Sequence, residues 1–139
     1  MIKITILSIK PKYAELIYSG TKRWEFRKAP PPVPSWVYLY ESAPVSKITG
    51  KVFLGFKVQG ESGIVWNLVK KQRLVGGGPG ISQKVFNEYV GKASSVAACA
   101  TFFANKFPEA VSLPDGCRPP QNWGCYVVED KEGEDLDEA

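Results

Sequence analysis

The chain has 139 residues, a hydrophobic content of 44% and a net charge of +4, which fit one globular domain with a single core. No apolar run approaches the roughly 20 residues needed to span a bilayer, and Met1-Ile2-Lys3-Ile4-Thr5 alternates polar and apolar without a signal peptide's apolar stretch, so a cytoplasmic location is expected. Histidine is absent, and Cys99, Cys117 and Cys125 are odd in number with no Cys-x-x-Cys spacing, which argues against a disulfide framework, a zinc site and the commonest general base.

Ile2, Ile4 and Ile6 alternate with Lys3 and Thr5, which predicts a first strand. Pro11 suits the first turn of a helix, Tyr13, Leu16 and Ile17 recur on one of its faces, and Gly20 supplies its stop. That apolar stripe is expected to cover one face of a sheet or plug the end of a barrel. Arg23 to Lys28 reads as extended. A period of two then turns Trp24 and Phe26 toward a core and sets Glu25 and Arg27 side by side on the polar face. Lys22, at the turn, can lean over that same face. The plain structural reading is a half-buried strand with a solvated charged face; the functional one is a compact mixed-charge site.

Ala29-Pro30-Pro31-Pro32-Val33-Pro34 excludes helix and central strand and predicts a stiff surface loop, able to wall a cleft beside Arg27 and Lys28. Trp36, Tyr38 and Tyr40 alternate with Val37 and Leu39, which predicts a strand buried on both faces. A turn follows over 42–46. Ile48 to Gln59 reads as a long strand bent at Gly50 and Gly55, with Lys47, Lys51 and Lys57 along one surface.

Ser62 to Arg73 reads as a helix whose stripe is Ile64, Val65, Leu68 and Val69, with Lys70, Lys71 and Arg73 in its last turn. The run from Gly76 to Gly80 lacks the lysine of a P-loop and the spacing of a dinucleotide fingerprint. It remains a connector, or an amide cradle for a phosphate at the next helix. That helix opens at the N-cap Ser82, with Ile81 stapled against Phe86. Its inner face is Val85, Phe86 and Tyr89, and Gly91 ends it. Ser94 to Phe103 predicts a strand, Lys106 to Pro120 a loop, and Asn122 to Val128 a last strand with Trp123 and Cys125 on one face. Six strands interleaved with three short helices make an α+β fold, without internal repeats or a second domain.

Several segments form an ordered set over about residues 1–128. They are Ser8-Ile9-Lys10-Pro11-x-Tyr13-Ala14-x-Leu16-Ile17-x-Ser19-Gly20, the spaced set Gly20-x-Lys22-x-x-Glu25-x-Arg27, Tyr38 to Val45, Ile81-Ser82 through Phe86 to Tyr89, and Pro119-Pro120-Gln121. The set resembles the ASCH domain, a small member of the PUA-like group. That resemblance implies a PUA-like β-barrel of about six strands with three short helices, and an RNA-binding role. It also implies an alternative, a small enzyme acting on RNA or a modified nucleoside. Some ASCH proteins resemble ribonucleases, and others remove the acetyl group of N4-acetylcytidine with a Lys, a Thr nucleophile and a Glu. Lys22 matches the family lysine, but Glu25 stands where the nucleophile falls in that subgroup's Lys-Thr-x-Thr-x-Arg pattern. A carboxylate replaces a hydroxyl poorly in amide cleavage, and Thr21 is adjacent but off the pattern.

Charge points the same way. Residues 129–139 hold seven acids and one lysine, which leaves 17 basic and 7 acidic side chains in residues 1–128. A body that basic favours polyanions, whereas the acidic tail is expected to be disordered and able to fold back on the basic face as a nucleic-acid mimic. Lys22, Arg23, Glu25, Arg27, Lys28, Lys47 and Lys51 are the candidate nucleic-acid contacts, with RNA or a modified nucleoside as the partner. Arg and Lys can hold phosphate, and a carboxylate can accept from a base's amine. If the chain is an enzyme, Lys22 and Glu25 are its catalytic candidates, and Glu61 and Glu88 are the nearest further acids. No cofactor, metal or membrane is implied.

Overall fold

The alternating start of the chain forms β1 (Ile2–Ile9), and Pro11, at the first position of α1 (Pro11–Tyr18), turns it into a helix. There follow β2 (Trp24–Arg27), β3 (Ser35–Glu41), β4 (Lys47–Gly60), α2 (Ser62–Lys71), α3 (Gln83–Val90), β5 (Val96–Val111) and β6 (Trp123–Val128). This computed structural model describes residues 1–71 and 78–128. The Arg73 end of the second predicted helix, Gly76 and Gly77 of the glycine run, and the acidic tail lie outside the described residues.

The strands form one mixed sheet in the order β2-β5-β4-β3-β1-β6. β1 and β3 run parallel, with Leu7 opposite Leu39, and the other neighbouring pairs are antiparallel. The sheet does not close through its backbone, yet side chains join its two edges. Arg27 Nη1, at the end of β2, donates to Asn122 Oδ1, just before β6, at 2.7 Å. Asn122 Nδ2 and Trp123 Nε1 both donate to the Ala29 carbonyl, at 2.9 and 3.0 Å. Among the described residues, the result is the expected α+β, barrel-like arrangement of six strands and three helices.

The core sits in adjoining clusters. α1 buries Ala14 and Ile17 against Leu7, Val37, Leu39, Val52 and Leu54. α2 and α3 bury Trp66, Val69, Phe86 and Val90 against Trp24 and Phe26, where Ala98 and Ala100 of β5 leave room for the large rings. Burying such large side chains stabilises the fold by about 1.5–3 kcal/mol each.

Three local expectations are corrected. β5 continues to Val111 through the predicted loop, pairing Lys106 with Gly50 and Val111 with Ile48. Register shifts along this pair break the period-2 pattern that would have marked a strand. α2 turns Val65, Trp66 and Val69 inward and leaves Ile64 and Leu68 exposed. The Trp66 ring takes the interior position, 4.8 Å from the Phe86 ring and 6.1 Å from the Phe26 ring. Trp36 of β3 is exposed rather than buried.

Candidate functional site

The segment from α1 to β2 is fixed by its backbone. Gly20 adopts φ +82° after the helix, a conformation that costs glycine little, and the Lys22 N–H then donates back to the Leu16 carbonyl at 3.0 Å. Arg23 N–H donates to the Gly78 carbonyl, and Thr101 N–H to the Arg23 carbonyl, both at 2.9 Å. β2 is thereby held on two sides before its first side chain is placed.

Trp24 and Phe26 point into the core, as period two requires. Glu25 and Arg27 share the other face, but that face is not solvated. Glu25 is 7% exposed, and the Arg27 side chain 12%. α1, α3 and the 121–122 turn come over it and leave a cleft of about 670 Å³. Its lining holds four cations (Lys10, Lys12, Lys22, Arg27), two acids (Glu25, Glu88) and the rings of Tyr13, Phe26 and Tyr89.

Lys22 is 2% exposed. Its Nζ donates to the Pro79 carbonyl at 2.9 Å and lies 4.9 Å from the Phe26 ring centre. Burial pushes its pKa below the ordinary lysine value, Glu25 opposes the shift, and Arg27 adds to it. Arg27 donates to Asn122 Oδ1 and, at 2.8 Å, to the Ser8 carbonyl. Its Nε is 3.3 Å from Glu25 Oε1, an ion pair without hydrogen-bond alignment. Glu25 Oε2 is buried and has no hydrogen-bond partner among the described residues, so a residue of the cleft lining carries an unsatisfied acceptor. Beneath it, Cys99 pairs with Glu25 across the sheet; burial, reinforced by the Glu25 charge, pushes that thiol up to about 11.

Residues 7–58 match the ASCH domain family. The match covers 52 of the chain's 139 residues. A curated relative, the ASCH domain-containing ribonuclease of Zymomonas mobilis, is 31% identical over 67 residues, 47% of this chain and 45% of the relative. The matched stretch thus spans less than half of that relative's length. The crystal structure of ASCH from Z. mobilis superposes with a TM-score of 0.73 at 21% identity, covering 92% of this chain and 88% of that one. A point variant of the same protein gives 0.76 at 22%, over 88% and 87%. At these identities the likeness establishes the fold.

The ASCH stretch supplies Lys10, Lys12, Tyr13, Lys22, Glu25 and Arg27 to the cleft, and chain beyond it supplies Glu88, Tyr89 and Gln121. Of the residues singled out from the sequence, Lys22, Glu25 and Arg27 meet there. Lys28 adjoins the rim through Tyr89, whose Oη accepts from its N–H at 3.0 Å and whose ring lies 5.0 Å from its Nζ. Arg23, Lys47 and Lys51 do not line the cleft. Arg23 Nε donates to the Thr101 carbonyl, and Lys51 lies over Trp36. Glu88 lines the cleft, whereas Glu61 caps α2, accepting from the Gly63 and Ile64 N–H groups at 2.9 and 3.1 Å. Those bonds hold its carboxyl below the usual range. Thr21 is exposed and outside the cleft.

Lys10, Lys12, Tyr13 and Tyr89 were not singled out from the sequence as site residues. The first three crowd the β1–α1 junction around Pro11, a signal that was there to read. The sequence places Val85, Phe86 and Tyr89 on the inner face of α3; the structure keeps Phe86 there with Val90, and Val85 and Tyr89 line the cleft instead.

Proposed function

We propose that the cleft binds an unpaired ribonucleotide of an RNA strand. The observation that carries this reading is the unsatisfied Glu25 Oε2, buried in the lining that also holds the Lys22 ammonium and the Arg27 guanidinium. Leaving a buried carboxylate oxygen unpaired costs about 1–3 kcal/mol or more, and a ligand donor recovers it. A ribose 2′-hydroxyl or a base amine is such a donor. Lys10 and Lys12 suit the flanking phosphates, and Tyr13 and Tyr89 offer rings for stacking. The name of the Z. mobilis relative supports the same class of ligand.

A second reading, RNA cleavage, is favoured by the depressed pKa of Lys22 beside an unpartnered carboxylate. Glu25 takes the proton of a 2′-hydroxyl, the 2′-oxygen bonds to the adjacent phosphorus, and the P–O5′ bond breaks. Lys22 then gives its proton to the departing 5′-oxygen, a transfer that its lowered pKa assists. The products are a 2′,3′-cyclic phosphate and a free 5′-hydroxyl.

Anisotropy titration of labelled single- and double-stranded RNA and DNA at two salt concentrations, followed by a denaturing gel, tests both readings. Binding is expected to be tightest for single-stranded RNA, to weaken with salt and to fall about ten-fold or more in Lys22→Ala. Shortened RNA with cyclic phosphate ends, and intact DNA, would establish cleavage. Binding unaffected by Lys22→Ala would remove the cleft from either reading.

A further inference from the structure

Outside the cleft, the sheet displays a row of aromatic rings. Trp36 of β3 stands opposite Phe53 of β4, and Phe53 stands opposite Phe102 of β5. Three rings therefore lie across three neighbouring strands, a row about 10 Å wide at ordinary strand spacing. Here β5 carries an extra residue. Between Lys51 and Phe53 its partner moves from Asn105 to Phe102, so β5 advances one residue more than β4 does.

Phe103 lies in that bulge at φ +54°, a region that large side chains rarely enter. Consecutive strand residues ordinarily point to opposite faces. The bulge instead brings Phe103 beside Phe102, at 6.2 Å between ring centres, and within 6.4 Å of both Trp36 and Phe53. Phe103 is 74% exposed and Trp36 44%. Backbone strain that displays a ring to solvent gains nothing for the core, and such strain concentrates at functional positions.

Cations frame the row. Lys51 Nζ lies 4.7 Å over the Trp36 ring, and the Arg23 guanidinium 5.8 Å from that of Phe102. We propose that this face is a stacking platform for single-stranded nucleic acid. It takes two or three bases on Trp36, Phe53 and Phe103, with the strand's phosphates meeting Lys51 and Arg23. A partner with negative charge complements these cations and the net positive charge of residues 1–128, whereas a second copy would set like charges against each other. The platform rests on the RNA reading of the cleft and extends it, giving the flanking strand a second place to bind.

The test compares wild type, Phe103→Ser, Trp36→Phe and Lys22→Ala against a mononucleotide and a single strand of roughly 12 nucleotides. Phe103→Ser removes a ring that is exposed and belongs to no core cluster, so it keeps the fold, as circular dichroism will check. It is expected to weaken the long strand about ten-fold and leave the mononucleotide unchanged, while Lys22→Ala weakens both. The long strand should also quench tryptophan fluorescence in wild type and less in Trp36→Phe. Wild-type affinity of Phe103→Ser for the long strand would overturn the platform and leave the cleft standing. So would a duplex bound as tightly as a single strand, or a wild-type dimer that Phe103→Ser dissociates. Loss of the long strand in Phe103→Ser with no effect of Lys22→Ala would overturn the cleft alone. No binding to wild type at any length would overturn both.

Discussion

Lys22 Nζ donates to the carbonyl oxygen of Pro79 across 57 residues of chain, at 2.9 Å. Pro79, in the glycine run, thus presents its carbonyl to a buried cation. Lys22 also bridges to Gly78 through the backbone, so this loop and the β2 entry are one unit.

Gly80 makes that unit possible. It has φ +74°, and a Cβ built there would fall 2.4 Å from Lys22 Cβ and 3.0 Å from its Cα. Gly80→Ala is therefore expected to destabilise the fold by about 1–3 kcal/mol and to weaken RNA binding by displacing Lys22. Gly78 has open space at its Cβ position, so Gly78→Ala should stay within about 1 kcal/mol of wild type. Urea titration of the two variants checks the contrast; equal losses would show that contact with Lys22 is not what the loop requires.

Lys22 also gives a pH signature. Its folded pKa lies below the unfolded value of 10.5 because burial disfavours the cation. Between those two values the unfolded chain holds the proton more tightly, so stability attributable to Lys22 rises with pH. Below the folded pKa the penalty is present in full. Other groups titrate in the same range, Cys99 with the opposite sign because its pKa is raised to about 11. The difference between wild type and Lys22→Met isolates the lysine. That difference is expected to move in favour of wild type as pH rises toward 10.5; a flat difference would mean that Lys22 is solvated.

Much of this was legible in the chain. Trp24 and Phe26 alternate with Glu25 and Arg27, and that alternation placed the pairs on opposite faces of β2. Lys22, Glu25 and Arg27, grouped by their spacing, line one cleft. The burial of that centre was not legible, because period two separates faces without saying what covers them. Here the cover comes from α1 and α3, and their approach depends on sheet order. Glu88 shows the limit most clearly. It is 63 positions after Glu25, and only the packing of Phe86 and Val90 against the sheet turns it into the cleft. The extension of β5 was hidden by bulges, and the outward turn of Phe103 by the same irregularity.

Asn122 joins the two sheet edges by accepting from Arg27 and donating to the Ala29 carbonyl. Asn122→Ala removes both bonds and leaves one Arg27 nitrogen without its partner. A loss of about 2–3 kcal/mol is expected, since a hydrogen bond to a charged group contributes more than a neutral one. RNA affinity should fall as well, because Arg27 would keep only the Ser8 carbonyl and the loosely aligned Glu25. Thermal melts and anisotropy on one preparation check this; stability unchanged within about 0.5 kcal/mol would mean that the edges are held by other contacts.

Glu25→Gln separates scaffold from site. Its carboxylate gives Arg27 an ion pair without hydrogen-bond geometry, while Arg27 keeps firm bonds to Asn122 and Ser8 and Lys22 keeps its bond to Pro79. A neutral amide of the same size loses that attraction but escapes the desolvation cost of a buried charge with an unpaired oxygen. The two effects oppose, so the stability change should remain under about 2 kcal/mol. Binding has no such compensation. The amide carries no charge and is free to point N–H groups at a ligand donor, so RNA affinity is expected to fall about ten-fold or more. Urea titration and anisotropy on the same variant decide between the roles. A large stability loss with unchanged affinity would make Glu25 a counter-ion for Arg27 and remove it from the binding site.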